Sequence, residues 1–135
     1  LNWIGVATPR PVAFLEERHG PVRGRAWYIA ERIGGKNLLQ WEGEITDPEA
    51  LAEQIAGILR VLLRFRISHG DMKASNLIAD GGRLWLIDLD AVGFHRTRAR
   101  AEKALRRDVR RLLRNWPDGP LREALQCHLA NTPLP

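Results

Sequence analysis

The sequence predicts an α+β fold, and three observations predict it. β-rich runs at Pro11–Arg18 and Arg25–Ile33 flank a turn-rich stretch, as in an antiparallel hairpin. Apolar residues recur at helical spacing over about residues 47–66 and again over about 98–116. Between those helices, two shorter β-rich runs, Asn76–Ala79 and Arg83–Ile87, are separated by Asp80-Gly81-Gly82, the composition of a tight hairpin turn. Strands therefore come first, and helices dominate the rest of the chain.

Each element has a local reason. His19-Gly20-Pro21-Val22-Arg23-Gly24 is too rich in turn formers to be strand, so it joins the first two runs. Gly34-Gly35 breaks the pattern, and Lys36–Gly43 is expected to hold a short helical turn. Thr46-Asp47-Pro48-Glu49 is a helix start: Thr46 or Asp47 caps free N–H groups, Pro48 fits the first turn, and Glu49 suits the positive helix end. Leu51, Ile55, Ile58, Leu59 and Leu62 give that helix one buried face as far as about Arg66. Gly57 inside it costs ~1 kcal/mol against alanine, which the apolar stripe outweighs. In the second helix, Leu105, Val109, Leu112, Leu113 and Trp116 share a face, and Pro117-Asp118-Gly119-Pro120 ends it. Leu121–Ala130 is expected to form a closing helix.

Composition narrows the class. The 135 residues suit one modest domain or a large piece of one. With 44% hydrophobic and 27% charged residues, the chain has the balance of a folded sequence rather than a disordered one. No apolar run approaches the ~20 residues of a membrane-spanning helix, and Leu1-Asn2-Trp3-Ile4-Gly5 does not read as a signal peptide. The single methionine is Met72, so a fragment of something longer is expected. Cys127 alone permits neither an internal disulfide nor a cysteine zinc site, and a reducing, cytoplasmic setting is expected. A net charge of +5 favours anionic partners.

The chemistry lies in Ile67-Ser68-His69-Gly70-Asp71-Met72-Lys73-Ala74-Ser75-Asn76, the hairpin, and then Ile87-Asp88-Leu89-Asp90. Phosphoryl transfer from ATP needs a residue to orient and deprotonate the attacking hydroxyl, and oxygen ligands to hold magnesium against the phosphates. An Asp followed five positions later by an Asn supplies both from one loop. A second Asp after a hairpin returns beside them. Asp71, Asn76 and Asp88 stand in that order. Taken singly, Asp88 could cap a turn and Lys73 could be a solvated lysine; the set together argues for a site.

These residues resemble the protein-kinase-like superfamily. His69–Asn76 is similar to the catalytic loop H-R-D-x-K-x-x-N, and Ile87-Asp88-Leu89-Asp90 occupies the place of D-F-G. The resemblance implies Asp71 as catalytic base, Lys73 as a γ-phosphate contact and Asn76 and Asp88 as ligands of Mg2+, with His69 packing the loop. Gly70 replaces the usual arginine, which removes one route of control by phosphorylation, and Asp90 replaces the glycine of D-F-G. Both departures point to bacterial branches, most closely to the lipopolysaccharide core kinase family, whose acceptors are Kdo or heptose. The opening Ile4–Ala13 is similar to the segment entering the fourth strand in that family.

By the same resemblance, residues 1–33 are a remnant of a kinase small lobe with its hinge, and 34–135 are the large catalytic lobe. Trp27–Ile33 would be the fifth strand running into the hinge, making Glu31 and Ile33 nucleotide-site candidates, with Lys73 as the γ-phosphate contact. A buried edge strand is the plainer reading of that segment. Asp108 either braces the catalytic loop from below or is a salt-bridged surface residue among arginines. His95 and His128 read as ordinary surface or core residues. The basic run Arg96–Arg114 reads as a solvated helix face, or else as a patch for an anionic substrate or membrane surface. Its aromatic residues are not interleaved as a nucleic-acid platform needs, so none is expected.

Neither G-x-G-x-x-G nor G-x-x-x-x-G-K-[ST] occurs, and the strand lysine of a kinase is not found, so the small lobe's N-terminal part is expected to lie before Leu1. The chain alone is then expected to bind ATP weakly and turn over poorly. The function expected is ATP-dependent phosphorylation of a sugar hydroxyl on a lipopolysaccharide core or similar glycolipid. It would take place in the cytoplasm, with peripheral contact to the inner membrane's inner face. A small-molecule or Ser/Thr protein kinase is the related alternative, and an inactive pseudokinase binding module the alternative of another class.

Overall fold

The N-terminal hairpin in the computed structural model, which describes residues 1–41 and 45–130, is longer than its sequence suggests. β1 (Pro11–His19) and β2 (Val22–Ala30) pair antiparallel from Pro11↔Ala30 to His19↔Val22. The connection shrinks to Gly20-Pro21, with Gly20 at φ 63°, a conformation glycine adopts without strain. Val22–Gly24, read as turn for their glycine and charge, are strand because the register carries them. At the other end β2 stops at Ala30, so Glu31–Ile33 lie past the strand, although the Glu31 N–H still bonds the Arg10 carbonyl at 3.0 Å.

The expected helical turn at Lys36–Gly43 is corrected in part. Lys36–Asn37 form β3, paired with Ala79 and Ile78, and a turn follows over Leu38–Trp41. Glu42 and Gly43 lie outside the described residues. Gly35 permits this pairing, because a Cβ there would stand 1.9 Å from the Ala79 carbonyl oxygen.

α1 (Pro48–Arg64) starts as its residues dictate: Asp47 is the N-cap, accepting from the Ala50 N–H at 2.9 Å, and Pro48 opens the first turn. It ends two residues short of the expected Arg66, which sits at φ 56°. Leu51, Ala52, Ile55, Ala56, Leu59, Leu62 and Leu63 are buried along one stripe. That stripe packs on α2 (Arg98–Leu113) and α3 (Pro120–Ala130) to form the core. Removing one of its leucines, such as the fully covered Leu59, would cost about 2–5 kcal/mol.

Thr97 caps α2, and Ala101, Ala104, Leu105, Asp108 and Leu112 face inward. Val109 and Leu113 are only partly buried, and Trp116 is buried beyond the helix end, so the expected helix is three residues too long. Between α1 and α2 run β4 (Ile67–Ser68), β5 (Leu77–Asp80), β6 (Arg83–Leu86) and β7 (Gly93–Phe94). β4 pairs with β7, while β3, β5 and β6 form a three-stranded sheet with β5 central. The β5–β6 turn is Gly81-Gly82 with both φ angles positive, at 58° and 74°, as a two-residue hairpin turn requires. The opening segment lies along β6, the Leu86 N–H bonding the Ala7 carbonyl at 2.8 Å. No helix among the described residues is long and apolar enough to cross a membrane.

Candidate active site

β4 and β5 carry the two ends of the loop His69–Asn76, and α2 holds it from beneath. The Asp108 carboxylate, 2% exposed, accepts the His69 N–H at 2.8 Å and the Gly70 N–H at 3.0 Å. Of its two readings, the brace is the one the fold adopts. His69, wholly buried, has its Nε2 3.0 Å from the Ile87 carbonyl and its Nδ1 accepting the Asp71 N–H at 3.3 Å. Those partners fix the tautomer with the proton on Nε2. Gly70 has a steric reason: φ is 83°, and a Cβ would fall 2.2 Å from the Ala91 carbonyl oxygen. An arginine cannot occupy this backbone without moving the Ala91 segment.

From this frame project the candidate groups. Asp71 is bonded by Lys73 Nζ at 2.7 Å and by the Arg111 guanidinium, so one carboxylate faces two cations. Lys73 first, and Arg111 second, hold its carboxyl below the usual carboxylate range. Asn76, 5% exposed, donates from Nδ2 to the Asp71 carbonyl at 3.0 Å and to Asp88 Oδ2 at 3.3 Å. Both bonds use the amide nitrogen, leaving Oδ1 as the oxygen available to a cation. Asp88 takes the left-handed conformation, φ 59° and ψ 67°. Such a backbone costs a non-glycine residue of order 1 kcal/mol. Its neighbour Ile87 is pinned on both sides, donating to the Asn76 carbonyl at 3.0 Å and accepting from His69.

Asp88 and Asp90 stand at the rim of a cavity of about 750 Å³, within the range of small-molecule sites. Ile78 and Ile87 line it from one side, Tyr28 and Ala30 from β2, and Glu31–Ile33 from the segment past β2. The hinge candidates Glu31 and Ile33 therefore reach the same cavity as the metal candidate Asp88. Asp71 and Lys73 lie outside it, joined to it through Asn76.

The sequence did not single out Arg111 or Asn115, whose Oδ1 accepts the Ala74 N–H at 2.8 Å. Arg111 is three residues beyond Asp108, hence on the adjacent part of the helix face. Among so many arginines on α2 that signal is visible only once Asp108 is known to lie under the loop. His95 and His128 are ordinary side chains here, 2.8 Å from Ser68 Oγ and from Glu49 Oε1 respectively. Among the described residues no three His, Cys, Asp or Glu side chains cluster as a metal cage. A two-ligand oxygen site completed by phosphates needs no such cage.

Loop, hairpin and left-handed aspartate under an inter-strand cavity define a protein-kinase-like fold. The chain superposes on the Rio2 kinase of Chaetomium thermophilum, solved as its ADP/Mg2+-phosphoaspartate complex, with a TM-score of 0.60 at 19% identity. That match covers 98% of this chain and 42% of the Rio2 chain. Within the fold, residues 1–128 match the Lipopolysaccharide kinase (Kdo/WaaP) family, and the chain belongs to that family. Relatives include the 3-deoxy-D-manno-octulosonic acid kinases of Xylella fastidiosa, 33% identical over 112 residues, and Stenotrophomonas maltophilia, 35% identical over 108 residues. The first alignment covers 82% of this chain and 43% of the relative, the second 79% and 42%. The chain thus spans less than half the length of the relatives it matches.

Proposed function

We propose that this chain carries the catalytic loop, metal ligands and hinge of an ATP-dependent kinase that phosphorylates a sugar hydroxyl of a lipopolysaccharide core or similar glycolipid. The observation that supports it is the convergence at Asn76, whose amide joins the Asp71 carbonyl at 3.0 Å to the Asp88 carboxylate at 3.3 Å beside a nucleotide-sized cavity. Family membership supports the substrate class. In this reading residues 1–33 belong to the small lobe and hinge, and 34–135 to the large lobe.

The residues have distinct tasks. Backbone groups at Glu31–Ile33 would bond the adenine, with Ile78 and Ile87 on one side of it. Asn76 Oδ1 and the Asp88 carboxylate would hold Mg2+, a hard cation suited to oxygen ligands. Held there, such an ion would supply positive charge against the phosphate oxygens. Lys73, now bonded to Asp71 at 2.7 Å, would turn to meet the γ-phosphate. Asp71 orients the acceptor hydroxyl and takes its proton as the oxygen–phosphorus bond forms and the β–γ bridge breaks. The setting proposed is the cytoplasm, with the acceptor presented at the inner face of the membrane.

The test is phosphate transfer by the intact protein from ATP to a glycolipid ending in 3-deoxy-D-manno-octulosonic acid, followed by mass spectrometry of the acceptor. Asp71→Asn is expected to lower transfer by about 10²–10⁴-fold while ATP still binds. Full turnover by that variant removes Asp71 from the mechanism. ATP consumption with no phosphorylated sugar removes the substrate class.

A further inference from the structure

The kinase reading leaves most of the arginines on α2 without a task. Arg107, Arg110, Arg111 and Arg114 line one open groove of about 550 Å³. At about 100° of turn per residue, their spacing places all four within a stripe about 100° wide along the helix. The stripe borders the Asp108 brace. Arg111 donates to the Gly70 carbonyl at 3.2 Å and to the Asp71 carboxylate, so the groove opens on the candidate base.

Opposing charge is scarce along this face. Glu102 is engaged by Arg98 at 2.8 Å, and Asp108 is committed to the loop backbone. Among the described residues Arg107, Arg110 and Arg114 have no carboxylate within ion-pair distance. Like charges at i, i+3 and i+4 destabilise a helix, so a face built only to be solvated gains nothing from this arrangement. A bound anion removes the repulsion, and planar guanidinium groups hold carboxylates and phosphates in bidentate fashion.

We propose that the α2 groove binds the anionic group of the acceptor, the carboxylate of an acidic sugar or a phosphate beside it, and so places the neighbouring hydroxyl at Asp71. This rests on the kinase reading above. Arg111 is the link: drawn toward the acceptor's anion, it leaves one Asp71 oxygen to the acceptor hydroxyl. Through Arg111 the groove reaches the candidate base, which favours the acceptor sugar over a bilayer.

The test compares the intact wild type with the variant Arg107→Gln/Arg110→Gln/Arg114→Gln. A control variant, Arg60→Gln/Arg64→Gln/Arg106→Gln, loses the same charge from exposed positions outside the groove. The acceptors are a water-soluble 3-deoxy-D-manno-octulosonic acid glycoside and its carboxamide. The groove variant is expected to raise KM for the acid by about tenfold or more and to lose the preference for acid over amide. The control variant and KM for ATP should hold within about twofold. An unchanged acceptor KM in the groove variant overturns the groove and leaves the kinase reading standing. If the wild type phosphorylates neither acceptor, the proposed substrate class fails on its own. Titration of the free acid sugar followed by NMR then decides the groove: binding abolished by the groove variant upholds it, and binding absent or unaltered overturns it. Loss of binding to phosphatidylglycerol vesicles with an unchanged KM for the soluble acid assigns the arginines to a membrane surface and overturns the proposal.

Discussion

The catalytic loop and the N-terminal hairpin both carry candidate site residues, yet they are held in opposite ways. Between Ile67 and Leu77, seven residues are buried, among them His69, Met72 and Asn76. The loop is tied to α2 through Asp108 and Arg111, to Asn115 beyond that helix, and to Ile87 across the β5–β6 hairpin. In β1 and β2 every residue is exposed or half-exposed, and Val12, Phe14, Val22 and Tyr28 are each more than 60% exposed. Along their facing edges β1 and β2 pair only with each other, with no third strand in their sheet. The difference teaches where rigidity is placed. Groups that would meet the reacting atoms are fixed by contacts reaching some forty residues along the chain, as from His69 to Asp108. The edge that would meet the nucleotide is shaped by local pairing.

Removing the brace should break this contrast most strongly. Asp108→Ala leaves the buried His69 N–H without an acceptor, at about 1–3 kcal/mol, while the Gly70 N–H, on an exposed residue, can turn to water. Denaturant unfolding should show a loss of about 1–3 kcal/mol, with Asp108→Asn, which keeps one oxygen, losing less. A midpoint shift no larger than that of an exposed substitution would mean the loop holds itself.

The same contrast explains what was legible in the sequence. The spacing Asp71, Asn76, Asp88 is a local pattern bounded by one hairpin, so the meeting of these three segments at Asn76 could be read directly, and the capped, striped α1 likewise. β2 was misplaced because its pairing with β1, not its composition, makes Val22–Gly24 strand. β3 was missed because two residues carry no periodicity, and only Gly35 hints that a backbone passes close. Arg111 was invisible because its partner lies forty residues away and its neighbours share its chemistry.

A smaller effect should appear in the pH profile. Lys73 is the first cause of the lowered Asp71 pKa, so Lys73→Met lets that pKa rise toward the ordinary carboxylate value. The acidic limb of kcat/KM should then move to higher pH, and Arg111→Met should move it the same way, by less. A group whose pKa is depressed on folding adds stability above its unfolded value, about 3.9, and loses it as pH falls through the folded value. Either variant should therefore narrow the stability gap between neutral and acid solution. A limb that stays in place assigns it to another group.

The smallest effect belongs to the hairpin, and it sharpens the comparison from the other side. Phe14 is 64% exposed and reaches no core residue of this chain's hydrophobic cluster. Phe14→Ser in the 135-residue chain should therefore shift unfolding by no more than about 0.5 kcal/mol, as surface substitutions do. Backbone amides of β1 and β2 should also exchange with solvent ahead of those at His69–Leu77, since a two-stranded ribbon opens without disturbing the core. Repeating the substitution in any longer form of the chain turns the number into a structural reading. A cost rising to about 2 kcal/mol or more there would mean that a further segment packs over Phe14. The hairpin would then be one layer of a larger sheet, as firmly held as the loop. An unchanged cost would leave it an edge shaped by its own register.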